Sequence, residues 1–266
     1  MRSMARANRR RPMPAVEQGH YAQKQLGSPS SIIRWSHSAR FRMAMALVGA
    51  HPAGRLIDYG CGDGTFMGFV ADRFALCVGA DVDAGQIDDC RSRFAGLRSL
   101  RFCLVRDLKG EEHTQAYAVV TCMETLEHCL EPVVDQVLSD LRGLCAPDGL
   151  IVISVPIETG PVFAIKYIVR KLAAVRGLGE YAGYETYSLR DAWRMTFATK
   201  RTVIARPAYG AAEAPYHSHY GFNWRRLREK VAQTLVLETT YFSPMGWCGG
   251  WLSSQAWFVC RPQTIL

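Results

Sequence analysis

From residue 55 to about residue 156, apolar runs alternate with stretches of helical spacing. "RLIDYG", "ALCVGAD", "LRFCLVRD", "AYAVVTCM" and "LIVISVPI" are short apolar runs. Between them, "TFMGFVADRF", "AGQIDDCRSRF" and "EPVVDQVLSDLRGL" place apolar residues three and four apart. In the last of these Pro132 suits a first helical turn. Val133, Val134, Val137, Leu138 and Leu141 form its predicted apolar stripe. Continuous apolar strands separated by helices predict a parallel sheet covered on both faces, an α/β fold. After "SVPIETGP" the pattern changes. Residues 162–176, "VFAIKYIVRKLAAVR", read as a basic amphipathic helix. Residues 177–216 lose periodicity and predict an insertion or lid over the ligand edge of the sheet. "NWRRLREKVAQ" is helical again. "LVLETTYF" and "QAWFVC" follow with no helix between them, which predicts an antiparallel pair. Upstream, "SSIIRWSHSARF" (30–41) precedes the first strand. Its Trp35, His37 and Arg40 either close over a substrate or belong to a helix docked on the core.

The chain has 266 residues, enough for one large domain or a domain with an insertion. The predicted division is a disordered basic tail over 1–20, an N-terminal helical segment over 21–54, and a main domain over 55–266 with an insertion at about 160–218. The nine cysteines are odd in number, irregularly spaced and free of C-x-x-C. That argues against a disulfide framework and a zinc knuckle, and predicts a reducing cytoplasm. The N-terminus "MRSMARANRRRPMP" has no apolar segment and is not a secretory signal. No stretch reaches the roughly 18 uninterrupted apolar residues of a membrane span. The net charge of +8 favours anionic partners without choosing among acidic lipid, nucleic acid and phosphorylated small molecules.

The densest chemical signal is "LIDYGCGDGTF" (56–66). An apolar strand runs into Asp58; Gly60, Gly62 and Gly64 alternate; a helix then begins. Such glycines let backbone approach a ligand, and the helix start presents free N–H groups. Asp81 closes the next apolar run about 20 residues on, the place of a ribose-binding acid. The dinucleotide fingerprint G-x-G-x-x-G is not met, because the third glycine comes one residue early and Thr65 takes its place.

On these residues the chain resembles the class I S-adenosylmethionine-dependent methyltransferases. Their first motif, an acid followed by x-G-x-G-x-G, matches Asp58 to Gly64, and their second-strand acid matches Asp81. The acid after strand three matches Asp107 in "LVRDLKG", the segment after strand four matches "VVTCMETLEH", and the turn before strand five matches "CAPDGLI". Tyr59 stands where a small aliphatic is commoner and is expected to pack beneath the loop. The resemblance implies a Rossmann-like seven-stranded sheet with its last strand antiparallel and a lid insertion after strand five. It also implies S-adenosyl-L-methionine as cofactor. Asp58 and Gly60 would lie near its methionine part, Gly62 and Gly64 would also bind the cofactor, Asp81 and Val82 would bind its ribose and adenine, Asp107 and Leu108 would lie on its adenine side, and Met123 would line the pocket.

"CMETLEHC" (122–129) carries Glu124, Glu127 and His128. One helical turn here would put all three on one face. They either cap a helix in solvent, or supply a general base, with His128 and Glu124 as the candidates, or bind a divalent ion. E-x-x-E-H after strand four resembles a pattern shared by the ubiquinone-biosynthesis O-methyltransferases and the small-RNA 2′-O-methyltransferases. In the latter, two Glu, this His and a later His bind metal. That resemblance implies magnesium or manganese on Glu124, Glu127, His128 and a later histidine, His217 or His219, with His219 taken as the ligand. The ubiquinone group further implies a small-molecule or lipid-linked hydroxyl as acceptor, and peripheral membrane contact through 162–176. There Phe163, Ile165, Ile168, Val169 and Leu172 form the apolar side, beside Lys166, Arg170 and Lys171. RNA 2′-O-methylation and non-catalytic cofactor binding are the competing readings.

Overall fold

A computed structural model describes residues 14–28, 31–49, 51–175, 187–211 and 215–263. Its centre is a seven-stranded sheet. The strands are β1 (His51–Tyr59), β2 (Phe74–Asp81), β3 (Leu100–Leu104), β4 (Tyr117–Met123), β5 (Cys145–Pro156), β8 (Leu235–Ser243) and β9 (Gln255–Pro262), in the order β3-β2-β1-β4-β5-β9-β8. β3, β2, β1, β4 and β5 run parallel. β9 runs antiparallel to both β5 and β8, as the missing helix before it predicts.

Side chains alternate across this sheet, and both faces are buried. Ile57, Val120, Ile151 and Ile153 join one core beneath the helices α5 (Glu131–Leu144) and α8 (Trp224–Thr234). Leu56, Val119, Val152 and Trp257 join the other, with α2 (Ser31–Val48), α3 (Thr65–Val70) and α4 (Ala84–Arg93). This explains why the central strands β1, β4 and β5 read as apolar runs, since neither of their faces meets water, whereas outer β8 exposes Val236 and Tyr241. Tyr59 packs in the first core and donates its hydroxyl to Asp140 of α5 at 2.9 Å.

Three expectations change. α5 has the predicted bounds, but Val133 is 45% exposed, and the stripe is Val134, Val137, Leu138, Leu141 and Leu144. Each residue turns about 100° around the axis, so Val133 falls off the edge of the face centred on Leu138 and Leu141. Of the predicted disordered tail, residues 1–13 lie outside the described residues, while 14–20 are structured. They carry α1 (Pro14–Glu17), whose Val16 is buried in the second core. The described residues between β5 and α8, where an insertion is expected, hold α6 (Pro161–Val175), the helix α7 (Leu189–Thr196) and a two-stranded ribbon of β6 (Ala208–Tyr209) and β7 (Tyr216–His217). α7 was not foreseen. Its Ser188 N-cap accepts from the Asp191 N–H at 3.0 Å. Only Met195 is buried, while Leu189 and Trp193 face outward, so its pattern does not mark a core face.

Leu138→Ala is expected to lower the unfolding free energy by about 2–5 kcal/mol in urea titration. Val133→Ala, on the same helix, should change it by less than about 0.5 kcal/mol.

Candidate active site

The strand order reverses between β1 and β4, so a crevice opens at the carboxyl ends of these two strands. In the register Asp58 lies opposite Thr121. Thr121 Oγ1 donates to Asp58 Oδ1 at 2.6 Å. Burial pushes the Asp58 carboxyl up to about 7, opposed by the Thr121 hydrogen bond and helped by the charge of Asp81.

The glycine turn leaves β1 directly after Tyr59. Gly60 has φ +80°, and a Cβ there would meet Thr125 Oγ1 at 2.3 Å. Both conditions favour glycine, and the second exists because the turn after β4 passes against this one. The Gly60 and Cys61 N–H groups donate to Ala80 O at 2.7 and 3.0 Å. Asp81 fixes the same turn from β2: one carboxylate oxygen accepts from Gly62 N–H at 2.9 Å, the other from Asp83 N–H at 3.0 Å.

A cavity of about 390 Å³ lies at this edge. Of the residues singled out in the sequence, Asp58, Gly60, Gly62, Met123, Glu124 and His128 line it. Gly64, Asp81, Val82, Asp107 and Leu108 stand outside its wall. Val82 is 81% exposed, and Asp107 sits in a 3-10 turn after β3, where its carboxylate accepts from Leu104 N–H at 3.2 Å. The size suits a nucleoside-sized ligand.

The sequence missed part of this wall. Tyr21, Arg40 and Asp63 also line the cavity and are hydrogen-bonded to one another. Tyr21 N–H donates to Asp63 Oδ2 at 2.8 Å, and Arg40 donates to the Tyr21 hydroxyl at 2.9 Å and to Glu124 Oε2 at 2.9 Å. The Tyr21 hydroxyl also meets His37 Nδ1 at 2.5 Å. Burial, with Arg40 adding, lowers His37 to about 4, which keeps the imidazole neutral and able to accept the phenol proton. Trp35, by contrast, is half exposed. Arg40 and His37 were in view as unusual residues before strand one. No local pattern pointed to Tyr21.

The turn after β4 is not the single helical turn anticipated. Glu124 takes a left-handed φ of +53°, and a 3-10 turn covers only Leu126–His128. The three side chains therefore diverge. Glu124 goes to Arg40, whereas Glu127 is fully buried, with neither carboxylate oxygen hydrogen-bonded among the described residues. Burial, followed by the charge of Glu124, pushes the Glu127 carboxyl well above the usual carboxylate range. His128 Nδ1 lies 2.8 Å from His217 O and must donate to it, which leaves the Nε2 lone pair free. That Nε2 is 3.8 Å from Glu127 Oε1. The His219 ring centroid is 5.0 Å from that of His128. Ligand atoms of Glu127, His128 and His219 all lie within 4.8 Å of one another. His217 is turned away, its Nδ1 donating to Pro207 O at 2.9 Å. Glu124 stands outside this cluster. A buried carboxylate without a hydrogen-bond donor beside two imidazoles fits a divalent cation, through three of the four predicted ligands.

Native Asp58 keeps its proton to higher pH than an ordinary aspartate at 3.8, so between about 3.8 and about 7 the folded state binds more protons than the unfolded. Stability of the cofactor-free protein should therefore fall as pH rises through this window, by up to about 1.4 kcal/mol per pH unit. Asp58→Asn should flatten that slope in urea titrations. An unchanged slope would mean that Asp58 is ionised throughout.

Comparison with known proteins agrees with this geometry. Residues 57–151, from β1 into β5, match a family model described as a methyltransferase domain. A ubiquinone biosynthesis O-methyltransferase of Saccharophagus degradans is 26% identical over 64% of this chain and 71% of its own length. One from Xanthomonas campestris pv. campestris is 30% identical over 55% of this chain and 63% of its own length. Two further relatives of the same description match over only 44% and 36% of their length. Among solved structures, a putative S-adenosylmethionine-dependent methyltransferase from Listeria monocytogenes superposes with a TM-score of 0.56 at 11% identity, covering 86% of this chain and 100% of that one. The family match lies on the strands that build the crevice and the sheet order completes the same fold, so in both respects the chain is similar to the class I S-adenosylmethionine-dependent methyltransferases.

Proposed function

We propose that the protein transfers the methyl group of S-adenosylmethionine to a hydroxyl oxygen of a small organic or lipid-linked acceptor. One observation carries the reading: His128, which belongs to the Glu127, His128 and His219 cluster, lines the same cavity as the glycine turn. The relatives named as O-methyltransferases support an oxygen acceptor.

The cofactor supplies an electrophilic methyl, and the protein supplies orientation and proton handling. Asp58, Gly60, Gly62 and Gly64 would face its methionine part, Asp81 and Val82 its ribose and adenine, and Asp107 and Leu108 its adenine edge, with Met123 on the wall. Glu127, His128 and His219 would hold a magnesium or manganese ion, which lowers the pKa of a coordinated hydroxyl. The bond from His128 Nδ1 to the His217 carbonyl fixes the tautomer and leaves Nε2 free to act as ligand or as base. Glu124 is assigned a different role from the predicted ligand and base. Paired with Arg40, it ties α2 to the turn after β4.

Labelled S-adenosylmethionine should place label in a lipid or small-molecule fraction of cell extract. EDTA should remove that activity, and magnesium or manganese should restore it. His128→Ala should lower kcat/KM by about 10²-fold or more with cofactor affinity retained. Label that survives EDTA would leave His128 as a metal-free base. Label in RNA would overturn the small-molecule acceptor, and cofactor binding without label in any fraction would overturn catalysis.

A peripheral membrane contact through α6 is supported by Ile165 and Ile168, both about half exposed. Phe163 instead is buried, and Lys166 turns to Glu158 at 2.8 Å; Val169, Arg170, Lys171 and Leu172 lie outside the described side chains. No described helix is long and apolar enough to cross a membrane. Co-sedimentation with anionic liposomes at low salt is expected, and Ile168→Glu should abolish it. Wild-type protein left in the supernatant would sink the contact.

A further inference from the structure

Arg206 lies in the insertion, 79 residues from Glu127 in sequence. Its guanidinium nevertheless reaches three backbone carbonyls around the candidate site. Nη2 donates to Glu127 O and, at 2.7 Å, to Ser218 O; Nε donates to Tyr220 O at 3.1 Å. Glu127 is the residue before His128, while Ser218 and Tyr220 flank His219. One side chain thus grips both segments that supply the cluster.

The fit around Arg206 is close. Its guanidinium carbon sits 5.3 Å from the Phe222 ring centroid. Gly221 has φ +69°, and a Cβ there would meet Arg206 Cγ at 3.0 Å. Only a planar fork with several fixed N–H donors can serve acceptors spread over two segments in this way. A second hydrogen bond between the segments, from His128 Nδ1 to His217 O, fixes a ring rather than the two backbones.

We infer that Arg206 is a positioning residue: by bonding the carbonyls of Glu127, Ser218 and Tyr220, it holds His219 beside Glu127 and His128. The inference rests on reading these three side chains as a ligand set. It goes beyond that reading by assigning the spacing of the set to a residue that touches neither metal nor substrate.

Two measurements separate failure of the inference from failure of the underlying reading. The first is backbone amide exchange by mass spectrometry in Arg206→Met. Exchange should rise over residues 126–129 and 217–222 together, with the glycine turn at 58–66 unchanged. The second is titration with manganese followed by the electron spin resonance of the free ion. Manganese affinity should fall by about 10- to 100-fold, the usual effect of losing a group that orients ligands. Affinity for S-adenosylmethionine should hold. Arg206→Lys keeps the charge but not the fork, and should recover only part of both signals; it also serves if the Met variant does not fold. Unchanged exchange in both segments of a folded variant would overturn the inference. Wild-type protein that binds no manganese would overturn the ligand set, while the exchange result still decides the role of Arg206.

Discussion

The register of β1 against β4 is the constraint on which the site depends. It sets Asp58 opposite Thr121, and the 2.6 Å bond between them is closed to water. From these neighbouring strands the glycine turn and the Glu124–His128 turn emerge side by side, so close that Gly60 accommodates Thr125 only because it lacks a Cβ. A slip of one residue would send every side chain of a strand to the opposite face of the sheet. The two buried cores, one on each side, forbid that slip. The apolar packing that stabilises the sheet therefore also aligns the two turns that line the crevice.

Around this crevice the protein places charge sparingly and with different partners for each acid. Asp81 accepts from two backbone N–H groups, Asp58 from one hydroxyl, and Glu124 from Arg40 through Oε2, its Oε1 having no hydrogen-bond partner within the described residues. Glu127 alone among these acids has no hydrogen-bond donor within the described residues. Burying a carboxylate in that state is costly, and a cation held there would offset the cost. Glu124 and Glu127 stand three residues apart and look equivalent in sequence. The left-handed backbone at Glu124 sends their carboxylates to different partners.

The pocket and the cluster also depend on segments far from the central strands. The N-terminal segment reaches the glycine turn through Tyr21 and Asp63, and α2 reaches the turn after β4 through Arg40 and Glu124. The segment between β5 and α8 brings His219 beside Glu127 and His128, with Arg206 bonded to carbonyls on both sides of it. Neither segment adds a strand to the main sheet, yet each contributes side chains at the carboxyl edge of its strands.

The sequence by itself determined the sheet and the cofactor turn. Strands buried on both faces must be apolar throughout, and α5, with its inward face of Val134, Val137, Leu138 and Leu141, must repeat near the helical period. A turn with positive φ at Gly60, Gly62 and Gly64 must be written in glycine. These are local demands, and local demands leave local patterns. The tertiary structure alone decided that Glu124 pairs with Arg40, that His219 rather than His217 joins Glu127 and His128, that Tyr21 lines the cavity, and that Arg206 reaches the carbonyls of Glu127, Ser218 and Tyr220. Each of those outcomes is a contact between residues distant in the chain, selected by direction and distance once the cores have packed. No spacing of three, four or seven residues encodes such a contact.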